Sequence, residues 1–145
     1  MTVRPGRRTD RRDAESGVSA VEFVLLTPLL FFLIFVTVQF ALFFFARHVA
    51  IAAAQEGARV ARAEAADPRY STNQWSDDAS STADKWIGRL APNLLQGSAV
   101  ATDRAPDRTT VSVTVTAAVP SIVPWTTFTV SETSTGPVEQ FIGDN

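Results

Sequence analysis

The side chains capable of chemistry are few in this sequence, and most are charged groups in polar segments. The single histidine, His48, follows Arg47 at the end of a long apolar run, a position typical of an interfacial residue and not of a general base. Asp77, Asp78 and Asp84 could bind a cation, but carboxylates on the polar face of a helix are usually solvated. We therefore predict no catalytic residue and no metal site.

Motifs of enzymes and cofactor-binding proteins are missing as well. The sequence has no cysteine, which excludes disulfides and Cys-ligated zinc or iron–sulfur sites. It has no Gly-x-Ser-x-Gly elbow, P-loop or Rossmann glycine pattern. The net charge of −2 provides no basic footprint for nucleic acid. We predict that the chain is not an enzyme, uses no cofactor and has no nucleic-acid partner.

Glu22 is the carboxylate whose position is unusual. It directly precedes a long run without charge, where an apolar or basic residue would suit the start of a membrane helix better. A carboxylate at the centre of a bilayer costs about 2.5–3.5 kcal/mol on insertion scales, and less near the edge. Two interpretations stay open: a residue at headgroup level with no role, or a buried charge that requires a partner.

The uncharged run covers residues 23–46, which is 24 residues. A spanning helix needs about 20 residues, and 24 residues rise roughly 36 Å in a helix. A buried core helix is disfavoured because the run is apolar on every face. A secretory signal peptide, cut among the small residues near Ala50, Ala52 and Ala54, is a rival interpretation, although its apolar core would be about 7–15 residues long.

Charge is segregated on the two sides of this run. Residues 1–17 carry five Arg against three acidic residues, and residues 47–145 carry eight basic against eleven acidic residues. Arginine on the short N-terminal flank favours a cytoplasmic N-terminus. The bias is moderate because Arg47, Arg59 and Arg62 flank the other end. We predict a single-pass protein with its N-terminus in the cytoplasm and its C-terminal domain outside.

Pro28 lies inside the predicted membrane helix. It has no N–H to donate to the Val24 carbonyl, and its ring is expected to kink the helix. The Thr27 hydroxyl is a candidate to satisfy the freed carbonyl in part. A tolerated kink and a functional hinge are both compatible with this position.

The junction before the membrane run resembles that of the TadE-like proteins of tight-adherence (Tad) pilus systems, within the type IV pilin-like (pseudopilin) family. In that family a leader ends in Gly, and Glu is the fifth residue after the cut, followed by an aromatic residue. Gly17, Glu22 and Phe23 have this spacing, and Pro28 lies five residues after the aromatic residue, as in the family. The segment Glu56, Gly57, Ala58 and Arg59 resembles the family's Glu-Gly-Ala-Arg signature. The chain departs from the family at Gln39, where a second Glu is frequent.

The resemblance implies that a prepilin-type aspartic peptidase cuts the leader after Gly17, so that Val18 carries a new ammonium group. That charge, about one helical turn from Glu22 or on the next subunit, would lower the cost of burying the carboxylate. The partners implied are the lipid bilayer, the peptidase, other pilin or pseudopilin subunits and the pilus assembly platform. The place implied is the bacterial cytoplasmic membrane. The role implied is that of a minor pilin-like component, because major pilins of that system have little beyond the helix. The alternative is a tethered extracytoplasmic binding or adhesion protein.

The helical pattern continues beyond the membrane run to about Ala66, and Pro68 is expected to end it. Small residues recur at every fourth position from Ala46 to Ala58. Such a stripe allows another backbone to approach closely, either from the chain's own domain or from a neighbouring subunit. We expect four segments: a leader at 1–17, a transmembrane helix at 18–46, its external continuation at 47–66 and a small domain at 67–145.

The C-terminal segment predicts an α+β domain of pilin-like type. Residues 73–90 have the spacing of a second helix, and residues 109–119 alternate Val with Ser or Thr, as in a half-buried strand. Residues 126–133 are a second candidate strand, 100–108 an edge or turn, and 136–145 a loose or weakly paired tail. The large residues expected to form the core, besides this Val-rich strand, are Trp75, Trp86, Ile87, Leu90, Leu94, Leu95, Trp125 and Phe128.

Overall fold

The computed structural model describes residues 10–71, 73–123 and 125–139, with side chains from residue 20 onward. The chain forms two helices, α1 (Asp10–Glu64) and α2 (Gln74–Leu90), followed by three strands, β1 (Gln96–Arg104), β2 (Thr110–Val119) and β3 (Phe128–Pro137). The predicted α+β class, with a long first helix, a short second helix and a small antiparallel sheet, is confirmed. By its contacts the chain divides into two compact units, Met1–Val38 and Gln39–Asn145.

The first unit contains the beginning of α1, and its large apolar side chains point outward. Phe23, Leu25 and Phe32, for example, are each about two-thirds exposed or more. Within the described residues, α1 is the one helix long and apolar enough to cross a membrane. These properties fit a single-pass membrane protein.

The boundaries of α1 differ from the predicted ones at both ends. The helix begins at Asp10, before the expected start at Val18, so Gly17 lies inside it. It ends at Glu64, two residues before Ala66, and the next two residues form a turn. Helix ends commonly vary by one or two residues because the last turn frays.

The second unit consists of the end of α1, helix α2 and the sheet. The strands are antiparallel in the order β1-β2-β3, so β2 lies in the centre. One face of β2 presents Val111, Val113 and Val115, which are almost completely buried, as predicted. The opposite face presents hydroxyls: Thr114 pairs with Thr133 at 2.8 Å and Thr116 with Ser131 at 3.0 Å.

The core lies between the valine face of the sheet and the two helices, and small residues dominate it. The core consists of two clusters, and both helices and all three strands contribute residues to them. Its buried helical residues are Ala46, Val49, Ala50, Ala53, Ala54, Ala58, Ala61, Trp75, Ala79, Ala83 and Ile87. Short alanine side chains let the helices approach the sheet closely, so this core is thin.

Several expected core residues lie elsewhere. Trp125 is 98% exposed and Leu90 is 43% exposed, so neither contributes to the core. Trp86, Leu94 and Phe128 are only partly buried at its edge. Trp75, Ile87 and Leu95 are buried, as predicted. The prediction was wrong for the other five because it ranked residues by size, whereas the close helix–sheet spacing favours alanine and valine.

The C-terminal segment pairs with the rest of the domain as far as residue 139, which agrees with the weakly paired alternative. Gly136 and Pro137 pair with β2 as the end of β3, and the Val138 N–H donates to the Thr109 carbonyl at 2.8 Å. The Glu139 N–H donates to the Arg62 carbonyl at 3.0 Å, which ties the chain to the end of α1. The remainder of the expected loose tail lies outside the described residues.

Candidate functional site

The predicted cleavage junction lies within α1. Gly17 and Val18 both have helical backbone. Glu22 and Phe23 follow in the same helix, and both side chains are exposed. Residues 18 and 22 are four apart, so they lie on the same side of the helix in successive turns. An ammonium group at residue 18 would therefore lie within reach of the Glu22 carboxylate.

Pro28 lies inside α1, and the helix continues through it. The Thr27 hydroxyl does not donate to the Val24 carbonyl, the predicted acceptor; it donates to the Phe23 carbonyl at 2.7 Å, four residues back. Thr37 makes the same bond to the Leu33 carbonyl at 2.8 Å. Backbonding of this kind satisfies a polar hydroxyl inside an apolar helix by local geometry.

Gln39 joins α1 to the connection between β2 and β3. Its Nε2 donates to the Pro120 carbonyl at 3.2 Å, and its Oε1 accepts the Ile122 N–H at 2.8 Å. Among the described side chains it is the one buried polar residue, at 7% exposure. A carbonyl only accepts and an N–H only donates, and a neutral amide satisfies both partners. An ionised glutamate at this position would lack the donor.

The Glu-Gly-Ala-Arg segment is divided between the inside and the outside of the domain. Gly57 and Ala58 are buried, and a Cβ added at Gly57 would lie 3.0 Å from the Ala79 carbonyl oxygen and 3.1 Å from a Val113 methyl. Glu56 and Arg59 form an outward ion pair, with Nε and Oε2 2.9 Å apart. An exposed pair of this type contributes at most about 1 kcal/mol. The segment therefore functions in this structure as a packing site for α2 and β2.

The stripe of small residues on α1 contacts the chain's own domain. From Ala46 to Ala65 its members are buried in the same two clusters as α2 and the sheet. Of the two alternatives for this stripe, packing against its own domain is the one observed. A subunit that packs against this part of α1 would have to use a different face.

An open cleft of about 830 Å³ lies at the end of the domain where α1 ends and the β1–β2 turn begins. The Glu64 carboxyl and the Arg104 guanidinium line it, and Glu64 Oε2 and Arg104 Nε are buried without a hydrogen-bond partner among the described residues. Burial of the carboxyl, together with the nearby Asp78 carboxyl, raises the pKa of Glu64. No sequence pattern pointed to this cleft, because its residues come from two separate stretches of the chain, 64–76 and 102–108.

The remaining candidate groups are dispersed. His48 is exposed, and its Nδ1 lies 2.7 Å from the Phe44 carbonyl oxygen. Asp77 and Asp84 are exposed on α2. Across the described part of the chain, no group of three or more His, Asp or Glu side chains is placed to hold a metal ion.

Comparison with known proteins supports the resemblance seen at the junction. No curated protein and no solved structure matches the chain. The family match covers the junction, the membrane run and the Glu-Gly-Ala-Arg segment. Residues 17–59 match the family described as TadE-like protein, which confirms for that segment the resemblance to the TadE-like proteins of Tad pilus systems.

Proposed function

We propose that this chain is a minor pilin-like or pseudopilin-like component in the assembly of a Tad or type IVb-like pilus or secretion apparatus. The observation that carries the proposal is the TadE-like match over residues 17–59, which begins at the predicted cleavage residue and includes Glu22. The chain would be anchored in the bacterial cytoplasmic membrane by α1, with its domain outside. It would act by contact with other subunits and the assembly platform, and not by catalysis.

The proposal includes removal of the leader by a prepilin-type peptidase between Gly17 and Val18. Peptidases bind their substrates in extended form, so the helix must open at this point before it is cut. Glycine is the residue best suited to open it, because it weakens a helix by about 1 kcal/mol relative to alanine. Cutting would leave the new ammonium group one turn from Glu22, where it offsets part of the cost of placing that carboxylate at the membrane.

A minor role agrees with how the domain is built. The alanine stripe of α1 is occupied by α2 and the sheet. Neighbouring subunits therefore cannot use these small residues for close helix packing. A subunit whose external helix is already covered on this face is better suited to a tip, primer or platform position than to the bulk of a fibre.

The test separates processing from assembly with two substitutions in the full-length chain. Gly17→Ala is expected to block cleavage, because a side chain now occupies the peptidase subsite. Glu22→Ala is expected to leave membrane insertion intact and to lower pilus number by tenfold or more. Val21→Ala, an exposed neighbour of Glu22, is the matched control and should be neutral. Mass spectrometry of the extracted protein measures cleavage, and electron microscopy counts pili.

The rival function is a tethered extracytoplasmic binding protein, for which residues 17 and 22 would be incidental. Such a tether would give normal pili with both variants and an uncut N-terminus in cells that express the peptidase. That pair of results would reject the assembly role.

A further inference from the structure

The connection between β2 and β3 is an apolar projection from the domain. We refer to residues 120–127 as the β2–β3 loop; residues 120–123 and 125–127 of it are described. Trp125 is 98% exposed, and Ile122 and Val123 are exposed by 42% and 45%. Trp125 also has a φ of +55°, a left-handed conformation that is costly for a bulky residue. At 98% exposure, the Trp125 side chain buries almost no surface that would offset this cost in water.

Four backbone polar groups of this loop are paired with protein groups. The Pro120 carbonyl and the Ile122 N–H both bond to Gln39 of α1. The Val123 N–H donates to the Ser121 hydroxyl at 3.1 Å, and that hydroxyl donates to the Val123 carbonyl at 2.9 Å. Non-helical backbone is tolerated at membrane depth only where its polar groups are paired with protein. The β2–β3 loop meets this condition at these four groups.

Charge is absent around the loop on both elements that meet there. Residues 109–131 form a run of 23 residues without an acidic or basic side chain. The helical turns beside the loop, from Gln39 to Ala46, are also uncharged, and Phe40, Phe44 and Phe45 are exposed there. The first ion pair beyond this zone joins Arg47 of α1 to Glu132 of β3, with 2.6 Å between Nε and Oε1. Charged side chains therefore begin at Arg47 on α1 and at Glu132 on β3, and these two residues contact each other.

The length of the membrane helix places the loop at bilayer depth. A span needs about 20 residues, and 20 residues counted from Phe23 end at Leu42. This end point lies beyond Gln39, the residue to which the loop is bonded. A span that stopped before Gln39 would contain 16 residues, which rise roughly 24 Å against a hydrocarbon layer of about 30 Å.

We propose that the β2–β3 loop inserts into the outer surface of the lipid bilayer beside α1. Trp125 then lies in the interfacial layer, where tryptophan is enriched in membrane proteins, and Ile122 and Val123 contact lipid. The domain is held at the membrane by two elements instead of one. This inference rests on the proposed membrane span, but it does not depend on a role in pilus assembly.

The test uses the lack of cysteine in the chain, which makes single-cysteine labelling free of background. Val123→Cys reports on the loop, Leu30→Cys on the span, and Ala101→Cys on an exposed position of β1. Each full-length variant is labelled with the fluorophore NBD and reconstituted in phosphatidylcholine vesicles. Quenching by a lipid-attached nitroxide is compared with quenching by aqueous iodide.

We expect the nitroxide to quench the labels at 123 and 30 at least about threefold more strongly than the label at 101. Aqueous iodide should instead quench the label at 101 more strongly than the other two. If the label at 30 is protected and the label at 123 is open to iodide, the loop lies in water and the inference is overturned while the span stands. The apolar loop would then be a surface for a protein partner. If the label at 30 is also open to iodide, the membrane span itself is rejected.

Discussion

The surroundings of Glu64 oppose its charge. Burial disfavours the ionised carboxyl, and the Asp78 carboxyl adds repulsion, so the pKa of Glu64 is raised. A raised pKa means that the folded state binds the proton more tightly than the unfolded state does. The stabilisation from protonation is complete below the ordinary glutamate pKa of about 4.3, and it is lost as the pH rises through the higher pKa of the folded state.

The prediction at this residue concerns how the thermal stability of the protein changes with pH. Glu64→Gln mimics the protonated form, so it should raise the melting temperature at pH 7 and leave it nearly unchanged at pH 4. Asp78→Asn removes the repulsion and should also stabilise the protein at pH 7. Thermal unfolding in detergent micelles, followed by circular dichroism at both pH values, measures the effect. An equal change at pH 7 and pH 4 would contradict the assignment.

Single residues were the hardest features to predict from the sequence. Glu22 was recognisable because its charge conflicts with the apolar run that follows it. Gln39 was visible only as a departure from the family pattern, and its role became clear when its two backbone partners were known. Those partners are more than 80 positions away in the sequence, a distance that no local pattern encodes.

At the scale of elements, α1 approaches α2 and β2 closely at Gly57. A Cβ there would lie 3.0 Å from a backbone oxygen of α2, and the helix backbone cannot move as a flexible side chain would. By contrast, Gly88 near the end of α2 has open space in place of its missing side chain. The two glycines therefore differ in whether the space beside them is filled.

This difference predicts different effects of the same substitution. Gly57→Ala should destabilise the domain by up to about 2 kcal/mol, because overpacking costs about 1–3 kcal/mol and improved helix propensity returns about 1 kcal/mol. Gly88→Ala should stabilise it by up to about 1 kcal/mol. Denaturant unfolding of both variants measures the two changes. A Gly57→Ala protein as stable as the Gly88→Ala protein would show that the contact is loose.

A strand was easier to predict when apolar and polar residues alternate clearly in its sequence. The Val-x-Val-x-Val pattern identified β2 because one of its faces is buried and the other is hydroxylated. β1 was missed as a full strand because its side chains are small and mostly exposed, and because a register shift near Gly97 interrupts its pairing. Trp125 was assigned to the core on size alone, although its loop faces outward.

At the scale of the whole molecule, charge is divided by the membrane run. Five arginines precede it, and Arg47, Arg59 and Arg62 follow it closely. Orientation depends on Lys and Arg within about 15–20 residues of the membrane ends. The difference between five and three is small, so the orientation of this chain should be sensitive to a few substitutions.

Changing the five N-terminal arginines to glutamine should therefore yield a mixed population with a substantial inverted fraction. An Ala101→Cys reporter in spheroplasts, treated with a membrane-impermeant maleimide, measures the outward fraction. The matched control changes Arg59 and Arg62 to glutamine and should retain full outward labelling. Unchanged labelling after loss of all five arginines would show that another feature sets the orientation.

Helix α1 provides both the membrane segment and one wall of the core, and this has a consequence for turnover. Many anchored proteins release an intact domain when a protease cuts the stalk next to the membrane. Here a cut between residues 46 and 65 would split the helix that covers the valine face of the sheet. We expect the fragment set free to expose part of that face and to unfold, so cleavage of the stalk should not release a folded domain.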